Sequence, residues 1–276
     1  MAKIVTGGLN HFVQQKRLTY TCEKDMVRSV FVSDIINDSE DKHLYGLIAD
    51  RLPTFYRSPS KLLAALSDDY FITAVRETLS RLPNAETFKE SHFSEVCSAL
   101  FAEDVLGLKR LYSKLSMLTS ENANAFKMDL LLVDPDSDPP AFTLGEVKSS
   151  SKSATEGLPA AHDKGCFADL FRSFNDYDDN DLGFDLAAAK DRLDDLHPTL
   201  RERVKTALEP YGTRRITYAG FIVIDGSTAC DSETAVLATR KNKKVFDVDL
   251  LRIQMLPVVI EKSYGHLKGI LDKCSL

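Results

Sequence analysis

The chain lacks any run of about 18 apolar residues, so no membrane span is expected. Its opening stretch, MAKIVTGGLNHF, has no long apolar segment, and no secretory signal is expected either. No CxxC pair occurs, and no cluster of histidines and cysteines has zinc-ligand spacing. The five cysteines, Cys22, Cys97, Cys166, Cys230 and Cys274, are scattered. An odd, unpatterned set reads as free thiols packed like small apolar groups in a reducing cytoplasm. There is no phosphate loop, no internal repeat and no glycine-rich strand-to-helix turn; Gly7-Gly8 stands alone near the N-terminus. A small-molecule enzyme on an unrelated α/β fold would be expected to carry such a turn. Ser149, Ser150 and Ser151 have no identifiable histidine–acid pair to activate them, which sets aside a serine nucleophile.

An excess of positive charge is also missing. Lys and Arg number 35 against 41 Asp and Glu, for a net charge of −6. Coating nucleic acid by bulk electrostatics requires the opposite balance. A nuclease is not excluded, because clustered carboxylates can hold a cation that supplies the positive charge locally. Two basic runs, residues 201–205 with Arg214 and Arg215, and RKNKK at 240–244, read first as solvated faces.

What is present is ordinary for a globular protein: 276 residues, 43% hydrophobic and 28% charged, enough for one large domain or two small ones. LTYTC (18–22) has strand composition, and MVRSVFVSDII (26–36) suits strand or helix. Residues 60–82 repeat apolar positions Leu62, Leu63, Leu66, Tyr70, Phe71, Ala74, Val75 and Leu79 at helical steps, with Ser60 as cap. HFSEVCSALFAEDVLGL (92–108) reads as a helix with Phe93, Val96, Cys97, Leu100 and Phe101 on one stripe and Gly107 at its end. KRLYSKLSMLT (109–119) alternates like a strand. FKMDLLLVD (126–134) and AFTLGEVKS (141–149) are apolar strands joined by the rigid turn DPDSDPP. After a serine-rich loop come a helix carrying Phe167, Leu170, Phe171 and Phe174, a helical stretch at 184–196, and a helix opened by Pro198. RITYAGFIVID is a strongly apolar strand, and residues 245–273 suggest a strand and then an amphipathic helix. This order predicts a mixed sheet flanked by helices.

Within it lies one unusual group. Asp129 sits in one apolar strand, Glu146 and Lys148 in the next. Residues two apart in a strand share a face, so Glu146 and Lys148 point together while Val147 turns to the apolar side. Pairing around the intervening turn would place Asp129 across from Glu146. Two carboxylates and an ammonium are expensive to bury unless they have partners. A divalent cation resolves this: Mg²⁺ takes one or two carboxylates plus water and phosphate oxygens. Asp129, Glu146 and the Val147 carbonyl would hold it, and Lys148 would stabilise developing charge. Lys148 could act as a base only with a depressed pKa.

Asp129 followed by Glu146-Val147-Lys148, with this strand–turn–strand spacing and a preceding helix, resembles the PD-(D/E)xK nuclease superfamily. Met128 stands where that superfamily usually has proline. The resemblance implies a metal-contacting glutamate on the first core helix, and the matching position is Glu95. On a helical wheel Glu95 falls away from the apolar stripe, where a solvated carboxylate is the competing expectation. With KMDLLLVD, LGEVKSS and the helical tail, the chain is similar to the nuclease subunit of the Hachiman anti-phage defence systems. The core of that resemblance covers about residues 86–227. It implies a restriction-endonuclease-like α/β fold and a bacterial cytoplasmic enzyme that uses Mg²⁺ or Mn²⁺ to cut DNA with a helicase subunit as partner. It also implies a nuclease core at 86–240, an N-terminal mixed region at 1–85 packed on that core, and a C-terminal strand and helix at 241–276 completing the fold. The alternative is a non-catalytic adaptor of a helicase on the same fold.

Four further features read as structural. Asp134, Asp136 and Asp138 lack the glycine and terminal glutamate of a calcium loop and read as turn chemistry. His162 and Lys164 read as helix-start surface residues, Asp225-Gly226 as a strand-end turn, and DYDDNDLGFD (176–185) as a solvated loop.

Overall fold

The computed structural model describes residues 8–21, 27–36, 43–57, 60, 64, 80–117, 127–150, 166–226 and 242–274. The helix expected at 60–82, the serine-rich loop with His162 and Lys164, and Cys22 and Cys230 lie almost wholly outside them.

The strands are β1 (Val13–Thr21), β2 (Val27–Ile35), β3 (Lys109–Ser113), β4 (Leu130–Asp134), β5 (Ala141–Ser150), β6 (Arg215–Asp225) and β7 (Phe246–Ile253). Among the described residues they form one seven-stranded sheet in the order β1-β2-β7-β6-β5-β4-β3. β3, β4 and β5 run as an antiparallel meander, whereas β5, β6, β7 and β2 are parallel and β1 closes the far edge antiparallel. The mixed sheet expected from the element order is therefore present. The β4–β5 turn is built as its Asp-rich sequence implies, with the Asp136 N–H donating to Asp134 Oδ1 at 3.0 Å.

Helices cover both faces. On one face pack α1 (Leu44–Arg51), α2 (Pro53–Tyr56), α3 (Glu86–Asp104) and α7 (Leu256–Cys274), around Leu130, Leu132, Val147 and Phe221 of the sheet. On the other pack α4 (Cys166–Asp176), α5 (Asp179–Lys190) and α6 (Pro198–Leu208), around Leu131, Leu144 and Ile222. The two-residue alternation of each strand explains why neighbours such as Leu131 and Leu132 belong to different layers.

α3 departs from the expected one-sided helix. Every residue from 92 to 102 is buried, because α3 lies between the sheet and a second helical layer: Tyr56 of α2 reaches His92, and α7 packs against α3. The helix ends where the sequence signals it. Gly107 adopts φ +73°, a conformation costly for a side-chain-bearing residue, and the Leu108 N–H returns to the Ala102 carbonyl at 3.0 Å.

Three boundaries differ from expectation. The strand read at 109–119 stops at Ser113 and gives way to a 3₁₀ turn at Lys114–Met117. Asp129 stands one residue before β4 rather than inside it. The acidic run 176–185 is not a solvated loop: Asp178 and Asp181 form a reciprocal capping box that starts α5, and Asp185 is fully buried, accepting from the Tyr177 hydroxyl at 2.8 Å.

Among the described residues, no helix is long and apolar enough to cross a membrane.

Candidate metal centre

The meander sets the geometry. β4 and β5 pair with Leu130 opposite Gly145, where the ladder ends, and the Asp129 N–H donates to the same Gly145 carbonyl at 3.1 Å. Glu146 shares the face of Leu144 by alternation, and Asp129, one residue before β4, lies near enough for its charge to act on Glu146. Asp129 Oδ2 accepts the Val147 N–H at 2.8 Å, which fixes that carboxylate to the neighbouring strand. Glu146 Oε1 accepts from Lys148 Nζ at 2.5 Å, and Val147 turns into the opposite core, as alternation requires. On the β6 side the site backs onto Gly220, paired in register with Glu146. A Cβ at Gly220 would come within 2.5 Å of Leu170 on α4, so the missing side chain lets that helix close over the sheet here.

Glu95 joins from α3. It is not the solvated carboxylate that the helical wheel allows; its residue exposure is 6%, matching Asp129 at 6% and Glu146 at 4%. Its carboxyl pKa is raised well above the usual range, first by burial and then by the charge of Asp129, with Lys114 opposing and Glu146 adding to the effect. Glu146 is pushed up to about 7, again by burial first and Asp129 second, against the pull of Lys148. Burial would lower Lys148, but Glu146 and Asp129 outweigh it and its pKa lies above the ordinary lysine value. In the metal-free chain these two carboxylates hold Lys148 in its charged form.

A family model matches residues 9–259. The chain belongs to the HamA family. Membership gives the protein an anti-phage defence context. No curated protein matches the chain.

Sequence reasoning missed one charged group at the centre. Lys114, on the 3₁₀ turn after β3, places Nζ 3.3 Å from Asp129 Oδ1. Reading 109–119 as a continuous strand hid it. The antiparallel register gives it away, since Ser113 pairs with Leu130 and the next residue back from Leu130 is Asp129. Burial would lower the Lys114 pKa, but Asp129, Glu95 and Glu146 raise it overall.

Whether these residues suit a divalent ion can be judged from their free oxygens. Glu95 Oε2 is buried without a hydrogen-bond partner, and Glu146 Oε2 is buried with only the Ser173 side chain of α4 beside it. A buried acceptor left unpaired costs about 1–3 kcal/mol, more if charged, and a hard cation satisfies such oxygens. Among the described residues no three His, Cys, Asp or Glu side chains are grouped closely enough to share an ion. What the chain offers instead is two carboxylates and a main-chain carbonyl, and Mg²⁺ accepts one or two carboxylates completed by carbonyl, water and phosphate oxygens. Asp129 and Glu146, with the Val147 carbonyl, fit that set.

Three arginines in and beside the first basic run are engaged within the chain. Arg201 donates to the Leu193 and Asp194 carbonyls, Arg203 to Pro135 and Ser137, and Arg214 to Ala207 and Glu209. These arginines tie off helix ends and the β4–β5 turn. Asp225 does more than end a strand: its Oδ2 accepts the Leu256 N–H at 2.9 Å and seats the start of α7.

Proposed function

We propose that the chain is a deoxyribonuclease dependent on Mg²⁺ or Mn²⁺, hydrolysing phosphodiester bonds as the effector of an anti-phage defence system together with a helicase subunit. The observation that supports this most is the joint burial of Asp129, Glu146 and Glu95 against the ammonium groups of Lys148 and Lys114 at one end of the sheet. A structural ion pair does not require three acids, and an adaptor surface has no physical need for them.

Asp129, Glu146 and the Val147 carbonyl would hold the cation. When bound, it would supply a water of lowered pKa and neutralise charge on the phosphodiester. The chain's own groups do the rest. Glu146 must give up its proton to serve as a ligand. Lys148, held charged, is placed to stabilise negative charge that grows on the scissile phosphate. Glu95, with its raised pKa, can present a neutral carboxyl and hold a proton near the attacking water. The net negative charge and the engaged arginines suit an enzyme whose partner engages the nucleic acid.

The test is cleavage of plasmid and linear duplex DNA with Mg²⁺, with and without the helicase subunit. Glu146→Ala and Lys148→Ala should each lower the rate by about 10²–10³-fold or more, as expected for loss of a charge-stabilising group, while the fold and partner binding survive. Wild-type rates in both variants would sink the nuclease assignment. Partner binding without metal-dependent cleavage by the wild-type protein would favour the adaptor.

A further inference from the structure

We infer that Lys114 is a positioning residue: it holds the Asp129 carboxylate while no cation is bound and yields it when a divalent ion arrives. The inference rests on Asp129 and Glu146 being the metal-holding pair. Its basis is the way the two oxygens of Asp129 are held. Oδ2 is bonded to the Val147 main chain at 2.8 Å. That donor belongs to β5, which at Val147 is paired in register with β6, and it cannot withdraw without breaking that ladder. Oδ1 is held by the tip of a flexible side chain, Lys114 Nζ, at 3.3 Å. Only the second contact can be exchanged for another cation.

The main chain keeps Lys114 in position for this. Its N–H donates to the Asp129 carbonyl at 2.8 Å, carrying the β3–β4 pairing one residue beyond the strand. The two side chains are thereby kept opposite each other whatever the ammonium does. The Lys114 side chain remains 16% exposed, so its long stem can swing the charge outward while its methylenes stay against the protein.

Charge balance says which lysine moves. Three buried acids face two ammonium groups, and a divalent ion between Asp129 and Glu146 brings two more positive charges into the same low-dielectric space. That leaves an excess of positive charge in a space where like charges repel, which favours the retreat of one ammonium. Lys148 lies on β5 itself, two residues from Glu146, in the closer contact of 2.5 Å. Lys114 lies on a turn in the longer one. Without a cation, Lys114 prevents Asp129 from being an unpaired charge beside Glu95 and Glu146, and so keeps the ligand in place.

The test uses the full chain and Mn²⁺ alone as probe. Lys114→Met keeps the stem and removes the charge; Lys114→Arg keeps the charge. By calorimetric titration, Lys114→Met should bind Mn²⁺ about tenfold more tightly, the scale of one weakened charge repulsion. Its melting temperature should fall without metal and recover at saturating Mn²⁺, while Lys114→Arg stays near wild type in both respects. A residue that only packs would lower the melting temperature with and without metal and would not tighten binding. Unchanged or weaker Mn²⁺ binding by Lys114→Met, in a wild-type background that does bind, overturns the inference. If the wild type and Asp129→Asn show the same absence of Mn²⁺ binding, the metal reading itself falls, and the role of Lys114 falls with it.

Discussion

Glu146 carries the clearest pH dependence in the molecule. Its usual carboxyl value near 4.5 is moved to about 7 by burial and by Asp129. Because the folded value lies above the unfolded one, the protonated form stabilises the metal-free fold. That stabilisation is fully present below about pH 4.5 and is lost as pH rises through about 7; a shift of this size corresponds to about 3 kcal/mol. Glu95 shifts in the same direction. Denaturant midpoints of the metal-free protein should therefore fall between about pH 5 and 7.5, and Glu146→Gln should flatten that slope. Metal affinity should move the opposite way, strengthening through about pH 7 as the carboxylate becomes available. Lys148 remains charged throughout, so cleavage should rise once near pH 7 without a second alkaline limb; a second rise that vanished in Lys148→Arg would instead make Lys148 the base. The contact of Glu146 with Lys148 and the nearness of Asp129 to their strand were legible in the sequence, because strand alternation and a short turn leave little freedom. Glu95 was only half legible. A helical wheel assumes one wet face, and α3 has none between residues 92 and 102.

Elements position these groups through two close packings, each open to a stability measurement. Gly220→Ala should push Leu170 and α4 away from the sheet beside Glu146 and destabilise the fold by about 1–3 kcal/mol, as overpacking of a filled core does. Phe101→Ala, in the fully buried turn of α3, should lose about 3–5 kcal/mol by leaving a cavity between the sheet and the outer helices. Urea midpoints at constant slope check both. Values within about 0.5 kcal/mol of wild type, the range of surface substitutions, would mean that α3 or α4 is looser than this packing requires. At this scale the sequence succeeded where one period dominated: Phe167, Leu170, Phe171 and Phe174 fall on a single face of α4, and all are buried. It failed where a run of like residues hides which of them has a specific local partner. Asp178 reads as one more acid in a polar run until its carboxylate is seen to accept the Asn180 and Asp181 N–H groups. Asp185 reads the same way until Tyr177 is seen against it.

Across the whole molecule the chain ends are knit to each other through the sheet. β2 pairs in parallel with β7 over eight registered positions, from Val27–Phe246 to Ile35–Ile253. Arg252 grips Asp34 with two bonds of 2.5 and 2.7 Å, and Lys16 lies 3.1 Å from the buried Asp249. α1 packs on α7, whose Leu256, Val259 and Leu267 are buried in the same core as Phe93 and Val96 of α3. Alternating periodicity identified these strands, but a parallel pairing between residues more than 200 positions apart leaves no local signature, since its partners are chosen by the fold of everything between them. The physical consequence is cooperativity. Strand β2 cannot leave without stripping one side of β7, and β7 borders β6, which in turn borders the strand of Glu146. We therefore propose that residues 1–85 do not unfold as a separate unit, and that heating gives a single calorimetric transition observed at one temperature by helical and aromatic circular dichroism. Asp34→Ala removes a bidentate pair more than 20 residues from any candidate ligand in sequence. It should lower that single transition as a whole by about 1–3 kcal/mol, with Mn²⁺ binding lost at the same lowered temperature. If a first transition moves while a second, carrying the Mn²⁺ signal, stays in place, the N-terminal strands form an independent unit and the sheet is only mechanically continuous.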